Sequence, residues 1–196
     1  MSTKTLTVSA ACLSIAVLLS LTAWAQEPRG GPSFRDGTNL NRPTNYREWQ
    51  FLSSSLNMSY QPPGDAQPQL FQNVFVNPSS YRGFMETGRW PDETMFILEI
   101  RQSSSEGAIT GTGQFQSDLV ALEAEVKDDR FADGWAFYDF GTAQSLADVA
   151  TPLAGVHVAR CIECHTEHTA VERTFVQFYP TLLEVAREKG TVKPGF

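Results

Sequence analysis

The sequence is poor in cysteine and in basic side chains. It contains three cysteines in 196 residues, too few for a disulfide scaffold. Only 15 lysines and arginines stand against 22 acidic residues, so the net charge is −7 and nothing favours binding to nucleic-acid phosphates. Hydrophobic residues still make up 41%, which excludes a disordered chain. The length suits one ordinary domain.

Long hydrophobic runs are absent after the N-terminus. Residues 8–21 form the one long apolar stretch, with Lys4 before it and the small-x-small triplet Ala23-Trp24-Ala25 after it. This pattern predicts a signal peptide over residues 1–25, cleaved near Ala25, and a periplasmic protein. An uncleaved membrane anchor is the alternative, but the run is shorter than the ~20 residues that a span needs. Cys12 lies inside this segment and is expected to be lost with it.

The remaining chain divides into a short leader and one domain. Residues 26–43 are rich in Gly, Pro and Asn and predict an irregular leader; residues 44–196 form the main domain. Within that domain, the patterns predict a short helix over 46–52, a loop over 60–68, strands over 70–76, 94–100, 119–127 and 135–140, a Ser/Gly loop over 102–113, and helices that begin at Pro78 and Pro180. This order predicts an α+β domain, mostly an antiparallel β-sheet with flanking helices.

One motif carries recognisable chemistry. Residues 161–165 read Cys-Ile-Glu-Cys-His, the attachment motif of c-type haem. Two thiols three positions apart on a helical turn can reach the two vinyl groups of one porphyrin, and His165 can then ligate the iron. The sequence therefore predicts one covalently bound haem c, held by Cys161, Cys164 and His165 on a C-terminal helical segment. A thioredoxin-like pair or half of a zinc site are the alternatives, but the motif is not near the start of a βαβ unit and no further cysteine follows residue 12 outside it.

No residue is an obvious sixth ligand of the iron. His157 and His168 are too close to the motif to cross the porphyrin. Met58, Met85 and Met95 precede the motif and are of a type that commonly fills cores. We therefore expect a five-coordinate iron that is open to a small ligand.

Several stretches besides the haem motif resemble the cytochrome P-460 family and its relative cytochrome c′-beta. The resemblance implies a β-rich domain with flanking helices, a five-coordinate c-type haem with a proximal histidine, and commonly a homodimer. The matching stretches run in family order: Tyr46-Arg-Glu-Trp49, Val74-Phe-Val-Asn-Pro-Ser-Ser-Tyr81, Thr87-Gly-Arg-Trp-Pro-Asp-Glu-Thr94, Val126-Lys-Asp128, Gly134-Trp-Ala-Phe137, Cys161 to Thr166, and Phe175-Val-Gln-Phe-Tyr-Pro180.

The sequence departs from that family at one functional position. Members of the P-460 type carry a lysine cross-linked to the porphyrin and oxidise hydroxylamine, and Leu98 stands at the matching place. The chain has four lysines, Lys4, Lys127, Lys189 and Lys193, so no amine lies between residues 5 and 126. In this respect the chain is similar to cytochrome c′-beta.

The resemblance also implies a catalytic carboxylate on the strand over 119–127, pointing at the iron. The alternation of this strand predicts Ala124 facing inward and Glu123 and Glu125 on the surface. The distal pocket would then be apolar, and would offer no base to hydroxylamine. If the phase differs by one residue, Glu123 or Glu125 becomes a distal base. The pocket candidates are Leu98, Ala124, Phe96, Phe75 and Gln72.

These patterns predict an exported monohaem cytochrome that binds a diatomic gas, NO or CO, and/or transfers electrons with a small redox partner protein. The first alternative is a haem oxidoreductase acting on hydroxylamine or peroxide. The second is an electron carrier with a closed, six-coordinate iron.

Overall fold

A computed structural model describes residues 30–58 and 69–196 of the chain. The predicted signal peptide over 1–25 and the predicted loop over 60–68 lie outside the described residues. No helix in the described ranges is long and apolar enough to cross a membrane.

The fold is α+β, as predicted, and the described residues form two antiparallel sheets with three helices beside them. The strands are β1 (Phe34–Arg35), β2 (Asn39–Asn41), β3 (Gln50–Leu56), β4 (Leu70–Val76), β5 (Thr94–Ser104), β6 (Phe115–Lys127), β7 (Trp135–Thr142) and β8 (Val149–Ala150). The larger sheet has the strand order β3-β4-β5-β6-β7, so each strand pairs with its neighbour in sequence, and the smaller has the order β1-β2-β8. The helices are α1 (Pro78–Thr87), α2 (Val156–Glu167) and α3 (Pro180–Glu188), with 3-10 turns at Tyr46–Glu48 and Val176–Phe178.

The central strands and α1 confirm the sequence patterns. Strands β4 to β7 lie where apolar and β-branched residues predict them. Helix α1 begins at Pro78, whose missing N–H costs nothing in a first turn, and ends at Gly88, which adopts the left-handed conformation with φ 70°. Asn77 does not cap α1 with its side chain; its Oδ1 instead accepts a hydrogen bond from the Met95 N–H of β5 at 2.8 Å.

Three local predictions differ from the structure. The predicted helix over 46–52 is only a 3-10 turn, after which the serine-rich strand β3 joins the sheet by pairing with β4. The leader over 26–43 is not wholly irregular, because it contains β1 and β2. Strand β5 continues to Ser104 and enters the predicted Ser/Gly loop. In each case backbone pairing with a neighbouring strand outweighs a weak local preference.

The larger sheet has a core on each face. On the first face, Met95 and Ile97 of β5 pack with Ala124 and Val126 of β6. On the second face, Phe96 packs with residues of α1 and α3. Because side chains alternate along a strand, the neighbours Ala124 and Glu125 face opposite sides of the sheet.

Glu125 is therefore not on the surface, contrary to the prediction. It is 9% exposed on the second face, where it lies opposite Phe96 and Phe137 in the sheet register. The alternation of β6 correctly identifies a core face but does not reveal that its other face is covered as well.

Candidate haem site

Helix α2 carries the complete Cys-Ile-Glu-Cys-His motif. Cys161 and Cys164 are free thiols, both half-buried, and lie one turn apart on this helix. Positions i and i+3 share a helix face, so both thiols can reach one flat group. None of the side chains of α2 is fully buried.

The His165 ring is held in one orientation. It lies between the rings of Phe137 and Phe175, with centroids 4.8 Å from each in edge-on geometry. Its Nδ1 lies 2.8 Å from the carbonyl oxygen of Arg173, an acceptor that assigns the ring proton to Nδ1. Within the described part of the chain, no residue is hydrogen-bonded to Nε2. The second nitrogen therefore keeps its lone pair, as in histidines that ligate a metal.

Glu125 is the second group behind the His165 ring. Its Oε1 lies 3.2 Å from Nδ1, and no described residue donates a hydrogen bond to this buried oxygen. Burial raises the pKa of the Glu125 carboxyl, and the charges of His165 and Arg173 oppose that rise only in part. Burial lowers the pKa of His165, but the neighbouring Glu125 outweighs it, so that this pKa is raised.

Arg173 supplies the nearest positive charge. Its backbone carbonyl accepts from His165, and its guanidinium acts on the pKa values of both Glu125 and His165. The Nη1 atom of Arg173 is buried without a hydrogen-bond acceptor among the described residues. Buried donors and acceptors normally have partners, so the unpaired Nη1 of Arg173 and the unpaired Oε1 of Glu125 are exceptions that a functional site would explain.

Glu123 lies on the same face of β6, two residues before Glu125. It is half-buried and stands opposite Asp139 of β7. Burial raises the pKa of Glu123, and the charge of Asp139 adds to this rise. The 3.2 Å approach of His165 Nδ1 to Glu125 Oε1 places the haem motif against this face of β6. Burial, followed by the charges of Glu123 and Glu125, raises the pKa of the Cys161 thiol.

The structure brings three of the five pocket candidates to the face of Glu125. Leu98 is half-buried and pairs in register with Val74 on one side and Glu123 on the other. Phe96 is buried in the second-face core. Gln72 lies on the same face by strand alternation, and its side chain bonds to Ser55 and to the Met58 carbonyl.

Ala124 and Phe75 are not brought together with His165. Both belong to the core on the first face, where they are 5% and 7% exposed. The prediction that Ala124 faces inward is confirmed, but its inward side is the face opposite α2. The phase of β6 is therefore the predicted one, but the face turned toward the haem motif carries Glu123 and Glu125, because both faces of this strand are covered.

The other possible iron ligands lie elsewhere. Met95 is fully buried in the first-face core, and Met85 packs against the second-face core. Met58 is 47% exposed. His157 and His168 are exposed, within α2 and directly after it.

Two lysines near the site, Lys127 and Lys193, form hydrogen bonds within the protein. Lys127 Nζ donates to the Trp90 carbonyl at 2.6 Å and pairs with Glu172 at 3.0 Å. Lys193 Nζ donates to the Thr166 carbonyl at the end of α2. Neither contact directs an amine toward the position of Leu98.

The profile of the family described as Cytochrome P460 matches residues 43–176, which is more than half of the chain and includes the haem motif. The chain belongs to the cytochrome P460 family. Membership implies a haem cofactor and makes the protein a haem-binding cytochrome. No curated protein matches the sequence.

The residues present fit the haem of a P460 cytochrome. Two thiols and an imidazole with a free Nε2 are the donors that a c-type haem requires. The sequence motif predicted Cys161, Cys164 and His165 as the donors. It gave no sign that Arg173, Phe137 and Phe175 are neighbours of His165. Only their position in the fold, on β7 and on the segment after α2, identifies them.

Proposed function

We propose that this chain is an exported, periplasmic monohaem c-type cytochrome that binds NO or another diatomic gas and exchanges electrons with a small redox partner. Cys161 and Cys164 hold the haem through thioethers, and His165 Nε2 ligates the iron. The protein acts as a homodimer. The observation that carries the proposal is the 2.8 Å hydrogen bond from His165 Nδ1 to the Arg173 carbonyl, because it leaves Nε2 free on the motif helix.

When bound, a haem with one axial histidine supplies an iron with an open position for a small ligand. The described histidines and methionines support an open position, since Met95 lies in the opposite core and His157 and His168 are solvent-exposed. Leu98 stands where the cross-linking amine of the P-460 type is expected. An aliphatic side chain there favours an uncharged diatomic ligand and cannot form the third covalent link.

Haem attachment and gas binding can be tested together on the purified full chain. We expect the haem to stay with the polypeptide after acidified organic extraction, and the reduced protein to change its absorption spectrum on addition of NO. The double variant Cys161→Ser, Cys164→Ser should lose its haem in the extraction. Extractable haem in the unchanged protein contradicts covalent attachment, and an unchanged spectrum under NO contradicts the open position.

A haem oxidoreductase acting on hydroxylamine or peroxide is the second candidate, and Glu123 favours it. This half-buried carboxylate shares a sheet face with Leu98, and burial, together with the charge of Asp139, raises its pKa, which makes it a stronger base. Hydroxylamine-dependent reduction of an acceptor dye tests it. Turnover that falls in Glu123→Gln but not in the control Glu184→Gln, an exposed site on α3, would establish the enzyme. Absence of turnover in the unchanged protein favours gas binding.

A further inference from the structure

We propose that Glu125 is a positioning residue for His165: its carboxylate lies behind the imidazole, fixes the ring and strengthens the bond from Nε2 to the haem iron. The proposal rests on the proposed function, in which Nε2 is the axial ligand. It assigns a role to a side chain that lies 40 residues before the histidine and outside the haem motif.

The geometry places a carbonyl acceptor and a carboxylate at one ring nitrogen. Nδ1 lies 2.8 Å from the Arg173 carbonyl and 3.2 Å from Glu125 Oε1. The two groups come from different parts of the fold, the segment after α2 and strand β6. Strand β6 is paired on both sides, with β5 and β7, so the carboxylate projects from a rigid support. Phe137 and Phe175 restrict the ring from its sides, and together these contacts leave it a single orientation.

The negative charge of Glu125 beside Nδ1 acts on the electron donation of His165. A negative group beside a ring N–H makes the imidazole a stronger donor at its other nitrogen. Stronger donation stabilises the oxidised iron more than the reduced iron. Arg173 offsets the cost of burying the carboxylate, while Glu123 and Asp139 on the same sheet face add negative charge.

A role for Glu125 as a base on the substrate side disagrees with this geometry. Nδ1 and Nε2 lie on different edges of the imidazole ring, so a group that contacts Nδ1 is on the far side of the ring from an iron bound at Nε2. A gas or substrate occupies the opposite side of the porphyrin. Glu125 therefore acts through His165, and Glu123 is the carboxylate left for any direct role.

The test compares Glu125→Gln with Glu123→Gln in the haem-loaded full chain. Both variants remove one negative charge from the same face of β6, but only the first removes it from Nδ1. For Glu125→Gln we expect about a tenfold shift of the iron equilibrium toward the reduced form, which equals the lower end of the loss in metal affinity or activity when such a supporting group is removed. Tenfold is about 59 mV in the potential of a one-electron couple. The iron–histidine stretching band in the resonance Raman spectrum of the reduced protein should move to lower frequency.

Glu123→Gln should shift the potential less and leave that band in place. Equal potential shifts in the two variants, or an unmoved band in Glu125→Gln, would overturn the proposal. Glu125→Asp keeps the charge but moves it away from Nδ1 by the length of one methylene group, so the iron–histidine band should also move to lower frequency. This variant tests the proposal if Glu125→Gln loses its haem. The variant His165→Ala tests the proposed function separately from the role of Glu125. An unchanged haem spectrum in this variant would contradict ligation of the iron by His165.

Discussion

Two buried glutamates on neighbouring strands, Glu99 of β5 and Glu125 of β6, face opposite sides of the same sheet. Glu99 is 0% exposed and accepts hydrogen bonds from Tyr46 at 2.6 Å, from Arg101 at 2.8 Å and from Asn73 at 3.1 Å. Glu125 is similarly buried, yet one of its oxygens has no donor among the described residues and lies against an imidazole.

The pKa values of the two carboxyls move in opposite directions. Burial pushes the pKa of Glu99 upward, but hydrogen bonds from Arg101, Tyr46 and Asn73 outweigh it and hold this pKa below its usual value. For Glu125 burial prevails and the pKa is raised. A carboxylate with all its partners stabilises the fold, whereas an incompletely partnered one beside a potential metal ligand is the type found at functional sites.

A new glutamate buried in the apolar core on the face of Glu99 should have the largest effect on stability. Ala124→Glu places a carboxylate among the apolar side chains of Met95, Ile97 and Val126. We expect it to lower the free energy of unfolding by about 4 kcal/mol or more, since burying an unpaired charge is among the most destabilising changes. Thermal unfolding of the haem-loaded protein measures the effect.

Ala121→Glu is the matched control for that experiment. Ala121 is half-buried on the other face of β6, in the row that already contains Glu123 and Glu125. The same side chain there should cost far less stability. Equal losses at the two positions would contradict the assignment of the two faces of β6.

Glu99→Gln should have the next largest effect. The neutral amide leaves Arg101 and Arg47 without their buried anion, and removing one partner of such a network costs about 3 kcal/mol. For a chain of this size the expected fall in Tm is roughly 6–12 °C. Glu106→Gln, in an exposed loop, should leave Tm unchanged. A Tm for Glu99→Gln within 2 °C of the unchanged protein, roughly the effect of a surface substitution, would mean that Glu99 is not structural.

The sequence was sufficient to predict the fold class, four strands of the larger sheet and α1. The apolar residues of each strand follow the pattern of a strand, and α1 is bounded by Pro78 and Gly88. Local sequence preference and tertiary packing therefore agree in these elements. Strand β3 escaped prediction because Ser53, Ser54 and Ser55 have no strand pattern of their own, and β4 imposes the pairing.

Only the part of the site that lies in the short haem motif could be predicted from the sequence. Cys161, Cys164 and His165 are adjacent in the chain, and haem attachment at these residues stays a prediction. Which face of β6 the motif helix covers depends on the packing of elements about 40 residues apart, so the sequence could not decide between Ala124 and Glu125. Glu99 likewise gives no local sign that Tyr46, more than 50 residues earlier, is its partner.

Acid should remove the stabilisation that Glu99 provides. The pKa of Glu99 is lower in the folded protein than the usual value of 4.5, so the ionised form favours folding. This contribution is fully present above pH 4.5 and is lost as the pH falls through the folded pKa. The difference in Tm between the unchanged protein and Glu99→Gln should therefore be constant from pH 7 to pH 5 and shrink below pH 4. A difference that persists unchanged in acid would show that the carboxylate charge is not its source.

The smallest stability effect is expected for Glu125→Gln, the isosteric counterpart of Glu99→Gln. Gln removes a charge whose burial is costly and whose hydrogen bonding is incomplete, so the free energy of unfolding should change by less than about 1 kcal/mol in either direction. Thermal unfolding of the two Gln variants under one set of conditions measures this difference. A fall in Tm for Glu125→Gln as large as that for Glu99→Gln would mean that both carboxylates stabilise the fold. A small loss accompanied by a shifted haem potential would instead separate them, since the carboxylate would then act on the ring of His165 and not on the stability of the sheet.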